Sequence, residues 1–429
     1  MSKNIKGVIP KWRFESFDSY PKWDIKKLGC LMGPINERAG DKKYVLMSVT
    51  SGVGLIPQVE KFGREIAGNS YKNYYVIRKN DFAYNKSSTK EFPEGYISML
   101  KEYEEAAIPN SIFTCFRVID DEYEPLFFEQ LFNTNYHGKW LKKYIEIGAR
   151  AHGALSIDTK HLWNMPVAVP KLPEQQKIAD CLSSIDDLIS AEEKKLSLLN
   201  DYKKGWMQKL FPAEGKTVPE WRFPEFRDSG EWEITSLGEI CSVLNGFGFP
   251  IKMQGNSTGE YSFFKVSDIS NAVMNNGGIL IKAANCIDDN VLLKLRAKTI
   301  PRGTTVFAKI GEALRLNRRA ITSEECLIDN NVIGVKAKPK KADDYFIFLL
   351  LQLIDLERYC GGVIPSVKKT VIEEIKVSFI SDLKEQEKIA AFLSGIDDLI
   401  STQTDRIEAL KQHKKALMQG LFPSIEEVL

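Results

Sequence analysis

Two stretches of this 429-residue chain concentrate side chains suited to a polyanion. From Lys294 to Arg319 there are eight basic residues, Lys294, Arg296, Lys298, Arg302, Lys309, Arg315, Arg318 and Arg319, against one acid, Glu312. A milder version, KNDFAYNKSSTK, sets Lys79, Lys86 and Lys90 around Tyr84, Asn85, Ser87, Ser88 and Thr89. Arginine and lysine neutralise phosphates, and Arg, Lys, Asn, Ser and Thr can also hydrogen-bond base edges in the major groove. One such run alone reads most simply as a solvated loop. Two runs at corresponding places in a duplicated chain move the reading toward DNA.

Residues for other chemistry lack the required spacing. His137, His152, His161 and His413 are scattered and show no metal-ligand pattern. No G-x-x-x-x-G-K-[ST] occurs, so an ATP-driven motor is not encoded here. Neither Asn-Pro-Pro nor Asp-Pro-Pro, which would hold a flipped adenine in a methyltransferase, is present. NGFGFP at Asn245–Pro250 reads as a turn, and Gly52-Val53-Gly54 lacks the third glycine of a dinucleotide site. Glu374-Ile375-Lys376 has the Glu-x-Lys pattern of some nucleases without a placed aspartate partner. The residues therefore point to binding without catalysis, with no metal and no cofactor.

What must position the basic stretches is a repeat. Leu172–Pro212 and Leu383–Pro423 align without a gap and are identical at 22 of 41 positions, including IDDLIS at Ile185–Ser190 and Ile396–Ser401. IPKWRFESF at Ile9–Phe17 and VPEWRFPEF at Val218–Phe226 open the two halves, each followed by a Trp-acid-Ile-x-x-Leu-Gly stretch. A period of about 210 residues is far beyond the roughly 20–50 of solenoid repeats, so it reads as a duplicated domain.

In the first repeated segment Ile178, Leu182, Ile185, Ile189, Glu192, Leu196, Leu199, Lys203, Trp206 and Leu210 step alternately by four and three. Ile389, Leu393, Ile396, Ile400, Gln403, Ile407, Leu410, Lys414, Leu417 and Leu421 do the same in the second. Eight of ten positions are apolar in each, the a/d seam of a coiled coil. Pro173 suits a first helical turn, and Pro212 and Pro423 end the pattern. Each seam needs a partner, and the other copy is the nearest candidate. Tandem copies paired through one face favour pseudo-twofold symmetry with antiparallel helices.

The intervening inserts, about 24–170 and 233–382, share little sequence. Runs such as YVLMSVT, YYVIR, SIFTCFRVI, YSFFKVSDI and TTVFAKI predict short strands. EPLFFEQLFNTNYHGKWLKKYI and DDYFIFLLLQLIDLERYC each predict a following helix. The fold class expected is α+β: two mixed α/β domains held apart by two long antiparallel coiled-coil helices, pseudo-twofold from tandem duplication. Expected boundaries are 1–170, 171–212, 213–382 and 383–429.

Bulk properties fit this without deciding it. Net charge is +2, so any nucleic-acid affinity must come from local clusters. The N-terminus shows no signal-peptide core, no apolar run is long enough to span a bilayer, and the seven cysteines form no Cys-x-x-Cys pair. A cytoplasmic protein is expected.

In its order of variable domain, repeated helix, variable domain and repeated helix, the chain resembles the DNA-specificity subunit of Type I restriction–modification enzymes. The L-x-E-Q-x-K-I-A…I-D-D-L-I openings at Leu172 and Leu383 and the WRF-x-x-F leaders carry that resemblance. GARAHGALSI at Gly148–Ile157 resembles the end of the family's recognition domains, and GGVIPSV at Gly361–Val367 is a looser counterpart. The resemblance implies a non-catalytic subunit whose two target-recognition domains each read half of a bipartite, asymmetric site, the helices fixing the unread spacer. It further implies double-stranded DNA, two methyltransferase subunits and a motor-nuclease restriction subunit as partners, with S-adenosylmethionine, ATP and Mg used by those partners. Matching the recognition loops assigns DNA contacts to Lys86, Ser87, Ser88, Lys90, Arg150 and His152 in the first domain. In the second it assigns Lys309, Arg315, Asn317, Arg318 and Arg319. The alternative is a coiled-coil interaction scaffold with no preference for DNA sequence.

Overall fold

The computed structural model describes residues 7–67, 69–145, 155 and 157–429. It is α+β and divides into two compact units, residues 1–190 with 409–429, and residues 191–408. Both boundaries fall inside the repeated helices, α1 (Leu172–Leu210) and α2 (Leu383–Leu421). Each is 39 residues, about 58 Å at 1.5 Å per residue.

The first unit is built on a four-stranded antiparallel sheet in the order Met32–Pro34, Phe113–Val118, Phe82–Asn85, Tyr96–Met99. Two-stranded ribbons flank it, Met47–Thr50 with Gly54–Pro57 and Tyr75–Arg78 with Glu105–Ile108. The second unit repeats the same order with Cys241–Asn245, Val332–Ala337, Thr305–Ala308 and Ala320–Thr322, and adds Ile279–Leu280 in parallel at the edge. Gly246 follows the first of these strands, and a Cβ there would meet the Asp329 carbonyl at 1.9 Å. NGFGFP is thus a close backbone approach.

The helices predicted after the strands are interrupted. The first stretch forms Pro125–Asn133 and Tyr136–Leu141, broken where Asn135 takes a left-handed conformation (φ 56°). The second forms Asp344–Gln352 and then a 3-10 turn at Leu356–Tyr359. Glu124 and Asp343 cap the long pieces by accepting from Leu126 N and Phe346 N.

The leaders clamp the helix starts. Arg13 grips Glu174 with two hydrogen bonds, Nε at 2.8 Å and a terminal nitrogen at 2.6 Å, and Trp23 Nε1 adds a third at 3.0 Å. Arg222 grips Glu385 the same way, both at 2.7 Å. The neighbouring glutamines act as braces. Gln175 Nε2 donates to the Pro170 carbonyl and its Oε1 accepts from Glu124 N, while Gln386 does the same with Ile380 and Asp343. The conspicuous letters of WRF and L-x-E-Q are therefore two ends of one contact, made once in each unit.

The seam is polar where the heptad pattern breaks. In the second unit Lys203 pairs with Asp397 at 2.7 Å and Gln403 with Glu192 at 2.6 Å, so the two helix segments there run antiparallel. In the first unit Lys414 pairs with Asp186 at 2.6 Å, the equivalent of the Lys203–Asp397 contact. Ile178, Leu182, Ile189, Ile389, Leu393, Ile396 and Ile407 are buried, and Ile185, Leu196, Leu199, Ile400 and Leu410 are partly buried. Trp23 and Phe127 centre the first core and Trp232 and Phe346 the second.

Candidate nucleic-acid interface

In the first unit the strand Phe82–Asn85 delivers Lys86 to its end. Asn85 Oδ1 accepts from Ser87 N at 3.1 Å and Thr89 Oγ1 from Phe92 N at 3.1 Å, which folds the loop back toward Tyr96–Met99. Leu155 N donates to the Lys86 carbonyl at 2.8 Å, so the segment preceding α1 is tied to the loop. Lys86, Ser87 and Ser88 are partly buried and Lys90 is exposed. Burial pulls the Lys86 ammonium below its usual range.

Beside this loop lies an open cleft of about 570 Å³. Asn85, Ser87, Thr89 and Lys90 line it together with Ser48, Thr50 and Lys61. Lys61 donates to Ser48 Oγ at 3.3 Å and the Val49 carbonyl at 3.2 Å, and burial lowers its pKa. These last three residues are new to the site. No charge cluster surrounds them in the sequence, so only the fold brings them to the loop.

The second unit repeats the framework. Lys309 follows the strand Thr305–Ala308, and Val367 N donates to its carbonyl at 3.0 Å, the counterpart of Leu155 and Lys86. The GGVIPSV stretch thus sits against this loop, with Gly311 N also donating to the Pro365 carbonyl at 2.8 Å. Arg315, on the short helix Glu312–Arg315, is exposed and pairs with Glu312 at 2.9 Å and Glu357 at 3.2 Å. Lys294, Arg296, Lys298 and Arg302 are also exposed.

Arg319 is held by its surroundings, unlike the exposed bases before it. It is 4% exposed, lies 4.6 Å from the centre of the Phe307 ring, and donates to Asn317 Oδ1 at 2.7 Å and to the Ile354 carbonyl at 3.1 Å. Burial pushes its pKa down to about 10. It braces the loop from within, and what it presents outward is limited to the wall of the cleft that it lines with Asn317 and Arg318. Asn317 shares that duty: left-handed at φ 51°, it bonds the backbone of Ile354 and Leu356 through its side chain. Arg318, between them, is partly exposed and lines a cleft of about 590 Å³ with Asn200, Lys203, Ser401 and Thr404. Arg150 and His152 lie outside the described residues.

Among the described residues no His/Cys/Asp/Glu group could hold a metal ion, and no helix is long and apolar enough to cross a membrane.

Two α+β units, each completed by parts of both long helices, define a tandemly duplicated architecture in which each sheet presents a basic loop at the same strand end. Residues 36–201 and 229–412 match the Type I restriction modification DNA specificity domain, and the chain belongs to that family. It is 29% identical over 297 residues to the putative Type I restriction enzyme MjaX specificity subunit of Methanocaldococcus jannaschii, covering 67% of this chain and 65% of that protein. It is 25% identical over 302 residues to the MjaVIII specificity subunit of the same organism, covering 67% and 68%. This chain therefore spans about two thirds of the length of those relatives. The fold is similar to the crystal structure of a Type I restriction-modification S subunit from M. genitalium, with TM-score 0.60 at 13% identity over 97% of this chain and all of that one. A structure described as the basis of complex assembly and conformational transition of the Type I R-M system is similar with TM-score 0.51 at 16% identity, covering 93% and 97%.

Proposed function

We propose that this chain is a non-catalytic DNA-specificity subunit that reads a bipartite, asymmetric site in double-stranded DNA. Each unit reads one half, and α1 and α2 set the unread spacer. Two methyltransferase subunits and a motor-nuclease subunit, working in the cytoplasm with S-adenosylmethionine, ATP and Mg, carry the chemistry. The observation that supports this reading most is the matched position of Lys86 and Lys309. Each follows the third strand of its sheet, and each has its carbonyl tied to the segment that leads into a repeated helix. Around the first stand Asn85, Ser87, Thr89, Lys90 and Lys61, donors and acceptors of the kind that read base edges and phosphates. Different residues on a common frame suit two unlike half-sites.

The test is a mobility shift of the chain with its methyltransferase partner on a library of duplexes at several salt concentrations. A reader selects one motif, and its affinity falls steeply with salt as counterions are released. Binding with no sequence preference and little salt dependence would leave only the scaffold.

A further inference from the structure

The two units share an internal plan and part from it at one place. In the first, Trp23, Phe127 and Phe422 form a chain of rings, with centroids 5.9 Å and 5.3 Å apart. In the second, Trp232, Phe346 and Phe211 repeat it at 5.8 Å and 5.2 Å. Phe422 and Phe211 each follow a repeated helix and precede a proline. Beyond that proline the units differ.

In the first unit Ser424 caps a short helix, Ile425–Val428, through a reciprocal capping box with Glu427. This helix rests on the strand Pro166–Val169 and the helix Tyr136–Leu141. Ile425 and Val428 are only 4% and 6% exposed. In the second unit the chain runs through exposed Ala213–Lys216 and turns at Gly215 (φ 77°). Beside the matching strand, Lys376–Phe379, lies an open groove of about 390 Å³. Phe211, Leu350, Ile354 and Val377 line it, with Ile234 and Leu353 on the rim at 53% and 43% exposure.

We propose that this groove binds a short amphipathic helical segment of a partner protein, presenting two branched aliphatic side chains three residues apart with carboxylates between them. The first unit is the template, since Ile425 and Val428 fill the equivalent place with Glu426 and Glu427 between them. The lining balances two bases, Lys376 and Arg358, against two acids, Glu214 and Asp355, and both acids engage Arg358 (2.8 Å and 3.6 Å), which leaves exposed Lys376 as the base that can meet a carboxylate of the incoming segment. Apolar anchors in a groove supply the affinity in this kind of recognition, and the flanking charges orient the segment. A second copy of this chain is a poor occupant, because its own Ile425 and Val428 are already buried.

The probe is a fluorescent peptide with the sequence PSIEEVL, titrated into the full chain and followed by anisotropy. The expected result is saturable binding at one site per chain, weakened at least tenfold by Leu353→Glu and by Ile234→Glu. Both substitutions are on the exposed rim, so circular dichroism should show an unchanged fold. A peptide with aspartate in place of isoleucine and valine should not bind. Absence of saturable binding at millimolar peptide overturns the proposal. So does binding unaffected by both rim variants, which would place the peptide elsewhere, such as on the first unit in exchange for the native helix.

Discussion

Gln403 Nε2 donates to Glu192 Oε2 at 2.6 Å and to the Glu192 carbonyl at 3.0 Å, although 211 residues separate them. They are the same position in the two copies of the repeat. Both are buried within the apolar seam, and Arg406 adds a 2.9 Å contact to Glu192. A buried polar pair of this kind fixes register in a coiled coil at some cost in stability. Gln403→Leu should destabilise the chain by about 1–3 kcal/mol, because Glu192 loses a buried donor. Glu192→Leu with Gln403→Leu should recover most of that loss. Urea denaturation of the single and double variants checks both, and a double variant no better than the single would argue against a register role.

The Arg222–Glu385 clamp joins the second leader to α2 with side chains 11% and 1% exposed. Breaking a buried ion pair from one side strands the remaining charge and costs about 3–5 kcal/mol. Arg222→Ala should lower stability by that order. Arg13→Ala should do the same to the first unit, where the partner Glu174 is also 1% exposed. A loss below about 1 kcal/mol in both would show that the leaders are dispensable.

His137 predicts a pH dependence. It is buried between Tyr84 and Phe132, with Nε2 3.3 Å from the Gly95 carbonyl, and burial lowers its pKa from 6.5 to about 4. Between those values the unfolded chain takes up a proton that the folded chain refuses. Stability is therefore full above about pH 6.5 and falls as pH drops toward 4, by at most about 1.4 kcal/mol per unit. His137→Gln should flatten that slope in thermal melts at pH 4.5 to 7.5. An unchanged slope would assign the acid sensitivity to carboxylates.

Arg318 and Arg319 should separate in their effects. Arg318→Ala and Lys90→Ala should each weaken DNA binding and, where the contact is to phosphate, reduce the salt slope by about 1. Arg319→Ala should instead lower stability, since it removes hydrogen bonds to Asn317 and Ile354 and a packed guanidinium. Affinity and denaturation measurements on the three variants distinguish the outcomes.

The long helices were legible because a seam of period 3.5 depends only on near neighbours. The polar exceptions were not: Glu192, Lys203, Gln403 and Lys414 interrupt the pattern, and their partners lie on the other helix. WRF and L-x-E-Q were visible as echoes, but the contact between Arg13 and Glu174 spans 161 residues and no local pattern announces it. The loops were legible as charge. Which arginines face outward was not, because the left-handed turn at Asn317 decides it and leaves Arg319 buried. The uninterrupted helix expected after the first set of strands failed at Asn135 for the same kind of reason, a single left-handed residue within an apolar run.

The most direct test of the central reading is the methylated motif itself. Residues 24–170 are replaced by the matching domain of a relative with a different target, and the modified bases of a host expressing the hybrid with its methyltransferase partner are mapped. The account predicts that one half of the motif changes while the other half and the spacer stay as in the parent. An unchanged motif, or loss of both halves together, would contradict the assignment of one half-site to each unit.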